Sequence, residues 1–404
     1  MVPFNVQVKA YQLLMKCQKV LISTIPFPKP SLFSGPGSSL QMAEEMGRMG
    51  LGKVLVVTDA QLLKLGLLDD ILDTLKKGSL DFAIYDGVLP DPTIDQVHAG
   101  VELMKEQGCQ AVLAVGGGSA MDCGKIIAAA MTNKKPVEKL TGLFKLRANP
   151  LPIFTIPTTA GTGSEVTIAA VISNPAAKSK NPIIDARLCP MMAALDPALM
   201  AGLPPHITAA TGMDALTHAV EAYISANAIK ETDLHAVAAV RLIMENLPKA
   251  YANGADLEAR EHMARASYYA GLAFTKAGVG YVHAIAHNFG AYYHVPHGLA
   301  NAIVLPHILE YSRDVAQSRL AYLAEVSGLK HGGESDADLA EAFIARIRQL
   351  SADMGIPARL DKLVDEDIPA IARAALKEAH TTYSVPKYMD HEVCEAVIGG
   401  MLPA

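Results

Sequence analysis

Asp214-Ala-Leu-Thr-His218 sets a carboxylate and an imidazole four residues apart, and His283 and His287 repeat that spacing in Tyr-Val-His-Ala-Ile-Ala-His. In a helix of about 3.6 residues per turn, positions i and i+4 project from one face, so each pair can reach a single ion. His297 follows after the turn-like Val295-Pro296. A lone histidine is more often a surface or hydrogen-bonded core residue than a ligand. Five of the thirteen histidines, His283, His287, His294, His297 and His307, nevertheless fall in one short stretch, which packing alone does not explain. The candidate ligands are therefore Asp214, His218, His283, His287 and His297. A mixed nitrogen and oxygen set suits Fe(II), Zn, Ni or Co better than Mg or Ca, which prefer oxygen alone.

A second chemical signal is Ala114-Val-Gly116-Gly117-Gly118-Ser119, placed between a candidate strand and a helix from Ala120. Glycines there let backbone N–H groups approach an oxyanion, and the helix N-terminus adds partial positive charge, so the segment reads as a pyrophosphate cradle. The alternative is a turn that serves only the chain path. The run lacks the GxGxxG spacing, and it misses the P-loop because Ile126 stands where Ser or Thr would hold Mg. Pro157-Thr-Thr-Ala-Gly-Thr-Gly-Ser164 supplies hydroxyls and glycines after another strand. Two such loops at the C-terminal ends of parallel strands are where open α/β sheets bind nucleotides. Asp59, ending the Lys53 to Thr58 strand, can accept from ribose hydroxyls and repel a 2′-phosphate, which favours NAD over NADP; it also fits a helix N-cap.

The elements that carry these residues change character near residue 203. Before it, short β-branched runs (Lys53 to Thr58, Phe82 to Tyr85, Ala111 to Val115, Pro152 to Ile156, Val166 to Ile172, Met192 to Leu195) alternate with helical stretches such as Ile71 to Lys77 and Thr93 to Gln107. That alternation implies a parallel sheet. After Leu203-Pro204-Pro205 only helical periodicity remains, in Ile207 to Tyr223, Ala236 to Leu247, Ala255 to Ala273, Ala337 to Met354 and Ile368 to Glu378. The expected domains are an extension over 1–30, an α/β dinucleotide-binding domain over 31–202, and an all-helical metal-binding domain over 203–404.

Composition narrows the class. At 404 residues the chain exceeds the roughly 250–300 that one core supports. A net charge of −6 with scattered Lys and Arg gives no nucleic-acid footprint. No apolar run approaches the ~20 residues that span a bilayer, so no membrane partner is expected. Five cysteines without CxxC pairing fit a reducing compartment, with the cytoplasm as the expected location. Met1 to Met42 holds Lys9, Lys16, Lys19 and Lys29 but no Asp or Glu, a bias also seen in organelle transit peptides. Arg is absent there, and Val6 to Ile22 also reads as a helix laid against the protein body.

Gly116-Gly117-Gly118-Ser119 with Asp122 and Lys125, Pro157-Thr-Thr-Ala-Gly-Thr-Gly-Ser-Glu165, Gly212-Met-Asp-Ala-Leu-Thr-His218, Gly280-Tyr-Val-His-Ala-Ile-Ala-His287 and Pro296-His297-Gly298 together resemble the iron-containing (group III) alcohol dehydrogenases. The resemblance runs from about residue 30 to the C-terminus. It implies a Rossmann-like α/β domain with a parallel sheet and an all-helical C-terminal domain, the architecture shared with dehydroquinate synthase, with NAD and Fe(II) (or Zn, Ni, Co or Mn) held between them. It implies Asp214, His218, His283 and His297 as metal ligands and His287 as a nearby non-ligand able to move a proton. Toward the cofactor it implies Asp59 at the ribose, Gly117, Gly118 and Ser119 at the pyrophosphate, and Thr158, Thr159 and Thr162 along it, with Asp91, Thr167 and Lys180 as further contacts. Phe274 is implied beside nicotinamide and substrate. The extension through about Ile22 has no family counterpart, Asp91 replaces the usual Asn, and Thr275-Lys276 sits where relatives carry small or amide residues.

The expected activity is metal-dependent, reversible hydride transfer between a short primary alcohol or diol and NAD, by a homo-oligomer of two or more copies. Two alternatives remain: a metal- and NAD-dependent lyase of the dehydroquinate synthase type, for which Lys276 is the main basic residue near the metal motifs, and a non-catalytic metal-binding or assembly protein.

Overall fold

The computed structural model describes residues 3–24, 27–174 and 179–403. The chain forms two compact units: Phe27–Leu203 with Gly254–Tyr268, and Met1–Pro26 with Pro204–Asn253 and Tyr269–Ala404.

The first unit is built on strands β1 (Ser31–Ser34), β2 (Lys53–Val57), β3 (Asp81–Tyr85), β4 (Ala111–Gly116), β5 (Gly142–Leu143), β6 (Ile153–Pro157), β7 (Ala169–Asn174), β8 (Ser179–Ile184) and β9 (Met192–Leu195). Six of them make an all-parallel sheet in the order β1-β9-β6-β4-β2-β3. Alternate side chains of β2 feed opposite cores: Leu55 and Val57 pack with Val97, Val112 and Ile127, whereas Val54 and Val56 pack with Met42, Leu75 and Phe154. Burial on both faces is why these strands read as continuous apolar runs. The expected strand from Val166 begins only at Ala169, and it pairs with β8 in a separate three-stranded sheet, β5-β8-β7. Flanking helices are α2 (Ser38–Arg48), α3 (Ala60–Lys64), α4 (Asp69–Lys77), α5 (Ile94–Glu106) and α6 (Gly118–Asn133). The Thr93 side chain caps α5 by a reciprocal bond with Gln96.

The second unit contains α1 (Phe4–Thr24), α7 (Pro205–Ile224), α8 (Lys230–Ala252), α10 (Tyr281–Tyr293), α11 (His297–Val326), α12 (Asp336–Asp353), α13 (Ile368–Thr382) and α14 (His391–Gly399). The remaining helix, α9 (Leu257–Ala277), is divided: its residues to Tyr268 group with the sheet and those from Tyr269 with the helices. A boundary at residue 203 places all of α9 with the helices. No strand follows residue 203 among the described residues, and no helix there is long and apolar enough to cross a membrane. The N-terminal segment is a helix docked on the helical unit: Met15 is buried, Tyr11 lies over His380 and Tyr388, and Lys19 Nζ donates to the carbonyls of Ala226 and Ala228.

Candidate metal centre and glycine loops

Three helices each contribute two side chains one turn apart: Asp214 and His218 from α7, His283 and His287 from α10, His297 and Asn301 from α11. Proline shapes two of these helices at their starts, with Pro205 as the first residue of α7 and Pro296 as the residue before α11. Atoms able to bind metal on Asp214, His218, His283 and His297 all lie within 4.8 Å of one another. Donors at about 2.1 Å from a tetrahedral ion stand roughly 3.4 Å apart, so small side-chain shifts close this set around one ion.

The surroundings of His283 favour the neutral imidazole that a metal ligand requires. His283 is buried, and its basicity is driven well down by that burial and then by the neighbouring His218, His297 and His287. Its Nδ1 lies 2.6 Å from Glu221 Oε2, and Glu221 Oε1 accepts the Val282 N–H at 2.8 Å. With Nδ1 turned to Glu221, Nε2 is the ring nitrogen that faces the other donors. Burial pushes the Glu221 carboxyl up to about 8 despite hydrogen bonds from the amides of Gly280, Val282 and His283. The donor chemistry thus fits a divalent transition metal.

His287 is held differently. Its Nδ1 lies 2.8 Å from Glu378 Oε1, which also accepts the Tyr383 hydroxyl at 2.6 Å. Burial works to raise the Glu378 carboxyl, but the hydrogen bonds and charge of His287 and the Tyr383 bond outweigh it and hold it below its usual range. The His287 ring stacks on His297, and Phe274 stacks on His218 with centroids 4.3 Å apart. Lys276 Nζ is paired with Glu231 at 2.6 Å, and Thr275 donates to the Gly271 carbonyl. Sequence reading missed Glu221, Glu378 and Asn301. Asn301 follows His297 by the same four residues that exposed the other pairs, but an amide is not a residue type that a ligand search selects.

In the sheet unit the two glycine loops meet at the ends of adjacent strands β4 and β6. The Thr158 N–H donates to the Gly116 carbonyl, and a Cβ on Gly118 would stand 2.6 Å from Thr162 Cγ2. Gly116 has φ +154 and Gly117 is the N-cap of α6 with no side-chain bond to its amides. No N-cap side chain takes up the first-turn N–H groups of α6, which suits anion binding. Thr158 is buried, and Thr159 and Ser119 are half-buried. Thr162 Oγ1 accepts the Ser164 N–H. Asp59 caps α3, with Oδ1 accepting from Gln61 and Leu62. Asp91 has φ +57, a left-handed conformation that Asn and Asp tolerate alike, which explains the exchange at this position. Lys180 lies in β8 and its side chain is outside the described residues.

Thr167 is buried and bonded within its unit: buried Lys125 donates to the Thr167 carbonyl, its Oγ1 and the Ala169 carbonyl at 2.9–3.1 Å. Burial pushes the Lys125 ammonium down to about 8, against the raising influence of Asp122. Asp122 in turn accepts from Ser164 Oγ at 2.6 Å and the Val171 N–H at 2.8 Å. Both motif residues thus tie α6 to the second loop. Lys125→Met should lower unfolding free energy by about 3–5 kcal/mol, since it strips the cation from a buried carboxylate and two carbonyls. Urea denaturation reads this, and a loss under 1 kcal/mol would show that the tie is dispensable.

The profile described as iron-containing alcohol dehydrogenase matches residues 29–197, and that of the C-terminal region of the Fe-containing alcohol dehydrogenase family matches 208–400. The chain is 43% identical over 368 residues to 1,3-propanediol dehydrogenase of Citrobacter freundii, covering 90% of this chain and 95% of that protein. It is 39% identical to NAD-dependent methanol dehydrogenase of Bacillus methanolicus over 88% of this chain and 94% of that protein, and 39% identical to lactaldehyde reductase of Escherichia coli over 86% and 91%. A crystal structure of 1,3-propanediol oxidoreductase superposes with a TM-score of 0.90 at 41% identity, covering 93% of this chain and 99% of that one. With both profiles matched in order over most of its length, the chain belongs to the iron-containing alcohol dehydrogenase family.

Proposed function

We propose that this chain catalyses reversible hydride transfer between a short primary alcohol or diol and NAD, with Asp214, His218, His283 and His297 holding Fe(II) or another divalent metal. The observation that carries the reading is the cluster of those four donors, with Glu221 setting the tautomer of His283. When bound, the ion supplies a Lewis acid for the alcohol oxygen and NAD supplies the hydride acceptor. His287 takes up the alcohol proton at Nε2 while Glu378 keeps Nδ1–H in place, and Tyr383 anchors Glu378. Phe274, stacked on His218, keeps water from the reacting carbon. Residues 31–202 are the dinucleotide-binding part and 203–404 the metal-binding part, with 1–30 an added segment.

Gly117, Gly118 and Ser119 offer backbone amides to the pyrophosphate, with Thr158, Thr159, Thr162, Asp91, Thr167 and Lys180 along the cofactor. The second oxygen of Asp59 accepts from the ribose and repels a 2′-phosphate. The relatives named for methanol, 1,3-propanediol and lactaldehyde, one of them also for NAD, support short substrates and NAD. The ion pair of Lys276 with Glu231 removes the basic residue on which the lyase alternative rested. A homo-oligomer in the cytoplasm completes the proposal.

Protein purified without air and loaded with Fe(II) should reduce NAD with alcohols from ethanol to 1,2-propanediol and oxidise NADH with the aldehydes. Chelation should abolish both reactions and re-addition of Fe(II) restore them. Absence of any NADH change across that panel would end the proposal.

A further inference from the structure

We infer that Asn301 is a positioning residue of the metal centre, which holds Asp214 as a ligand through one oxygen only. The inference rests on the metal-site reading proposed above. Asn301 is fully buried, one turn beyond His297 on α11. Its Nδ2 donates to Asp214 Oδ1 at 2.7 Å and also stands 3.2 Å from His283 Nε2 and 3.1 Å from His297 Nε2. Three acceptor atoms, all from the four-donor cluster, thus converge on a group with two hydrogens. Its own Oδ1 is buried and has no hydrogen-bond partner among the described residues. A buried amide left half-satisfied is costly, so its other half has a task that outweighs the loss.

That task follows from which acceptors a cation removes. A metal ion engages the lone pairs of His283 Nε2 and His297 Nε2, which leaves the amide hydrogens for the carboxylate, already the shortest of the three contacts. Both Asp214 oxygens border the cluster, Oδ1 at 3.5 Å from His297 Nε2 and Oδ2 at 4.0 Å from His218 Nδ1, so the amide decides between them: with Oδ1 occupied by an N–H, Asp214 has Oδ2 for the ion. A one-oxygen carboxylate keeps the protein donors at four and leaves a coordination position for the alcohol oxygen. A two-oxygen carboxylate would fill that position. Asp at 301 lacks the N–H to donate, and Gln is one methylene too long for a fully buried site.

Cobalt(II) is the probe, because its visible absorption weakens as coordination number rises. Asn301→Ala and the nearly isosteric Asn301→Leu should each raise the cobalt dissociation constant roughly 10–100-fold, the usual effect of losing a partner of a metal ligand. They should also lower visible absorption at saturation, with metal-free thermal unfolding still cooperative. An unchanged spectrum and a dissociation constant within about threefold of the parent would overturn the role. A crystal structure of the cobalt-loaded parent chain tests the same claim without a variant: Asp214 should bind by one oxygen with the other on Asn301 Nδ2, and binding by both oxygens would overturn it. His283→Ala separates the two levels. If the parent binds no cobalt that His283→Ala removes, the metal-site reading falls and this inference with it. If it does, while the Asn301 variants bind like the parent, the inference alone falls.

Discussion

A chain with His283→Ala should bind Fe(II) or Co(II) more than about a hundredfold more weakly than the parent, beyond the 10–100-fold cost of changing an outer partner. Alcohol oxidation at limiting metal should fall by at least about 10³-fold, because the Lewis acid is lost together with the imidazole that helps hold it. The stability cost should be separate and smaller. Without the imidazole, the Glu221 oxygen that faced Nδ1 is buried with no partner there, a loss of about 1–3 kcal/mol. Elemental analysis of protein purified without air, NADH formation and thermal unfolding read the three effects separately. His287→Ala supplies the contrast: its Nδ1 faces Glu378, so metal content should hold while turnover falls. Full metal content in the His283 variant would remove this residue from the site.

Gly298→Ala should damage the same centre without touching a donor. A Cβ there would stand 2.3 Å from the Ala210 carbonyl oxygen, 2.8 Å from its carbon and 3.3 Å from Asp214 Cβ. The first two are backbone atoms of α7, so no rotamer change relieves them, and α11 must retreat by about 1 Å to restore ordinary contact. His297 and Asn301 would retreat with it, away from Asp214. Overpacking of this kind costs about 1–3 kcal/mol, which lowers the melting temperature of a chain this long by roughly 1–4 °C. Metal affinity should fall at least about tenfold. Gly118→Ala provides the counterpart in the sheet unit, where the added Cβ meets Thr162: the KM for NAD should rise with metal content unchanged. Parent-like melting and metal binding in the Gly298 variant would show that the two helices have slack.

Helical periodicity made the metal cluster legible, because i and i+4 fix a face whatever the tertiary context. Tertiary partners lie outside that rule. Glu378 is 91 residues from His287, and no local spacing joins them. Asn301 obeyed the spacing, and it escaped notice through its chemistry. The buried strands of the parallel sheet were readable as apolar runs, but β1 is a four-residue edge strand with mostly exposed side chains. Likewise β8 carries Lys180 and Pro182 and alternates poorly. Val166 and Thr167 have strand-forming side chains, yet the Val166 N–H turns back to the Gly163 carbonyl and the strand starts only at Ala169. Periodicity identified α9 as a helix without indicating that its first half groups with the sheet, since a 3.6-residue pattern marks an apolar face and not the surface that covers it.

Helix α1 gives the chain a timing problem during synthesis. It ends at Thr24, yet the aromatic side chains it packs against, His380 and Tyr388, lie in and beyond α13, which begins at Ile368. At roughly 5–20 residues per second, α1 leaves the ribosome on the order of half a minute before its docking surface exists. The inner stripe with Tyr11 and Met15 is uncovered throughout that interval. The four lysines of the first 42 residues, with no acidic residue among them, give the waiting segment a uniform positive charge. Like charge opposes the approach of such segments on neighbouring nascent chains while the docking surface is still to be made.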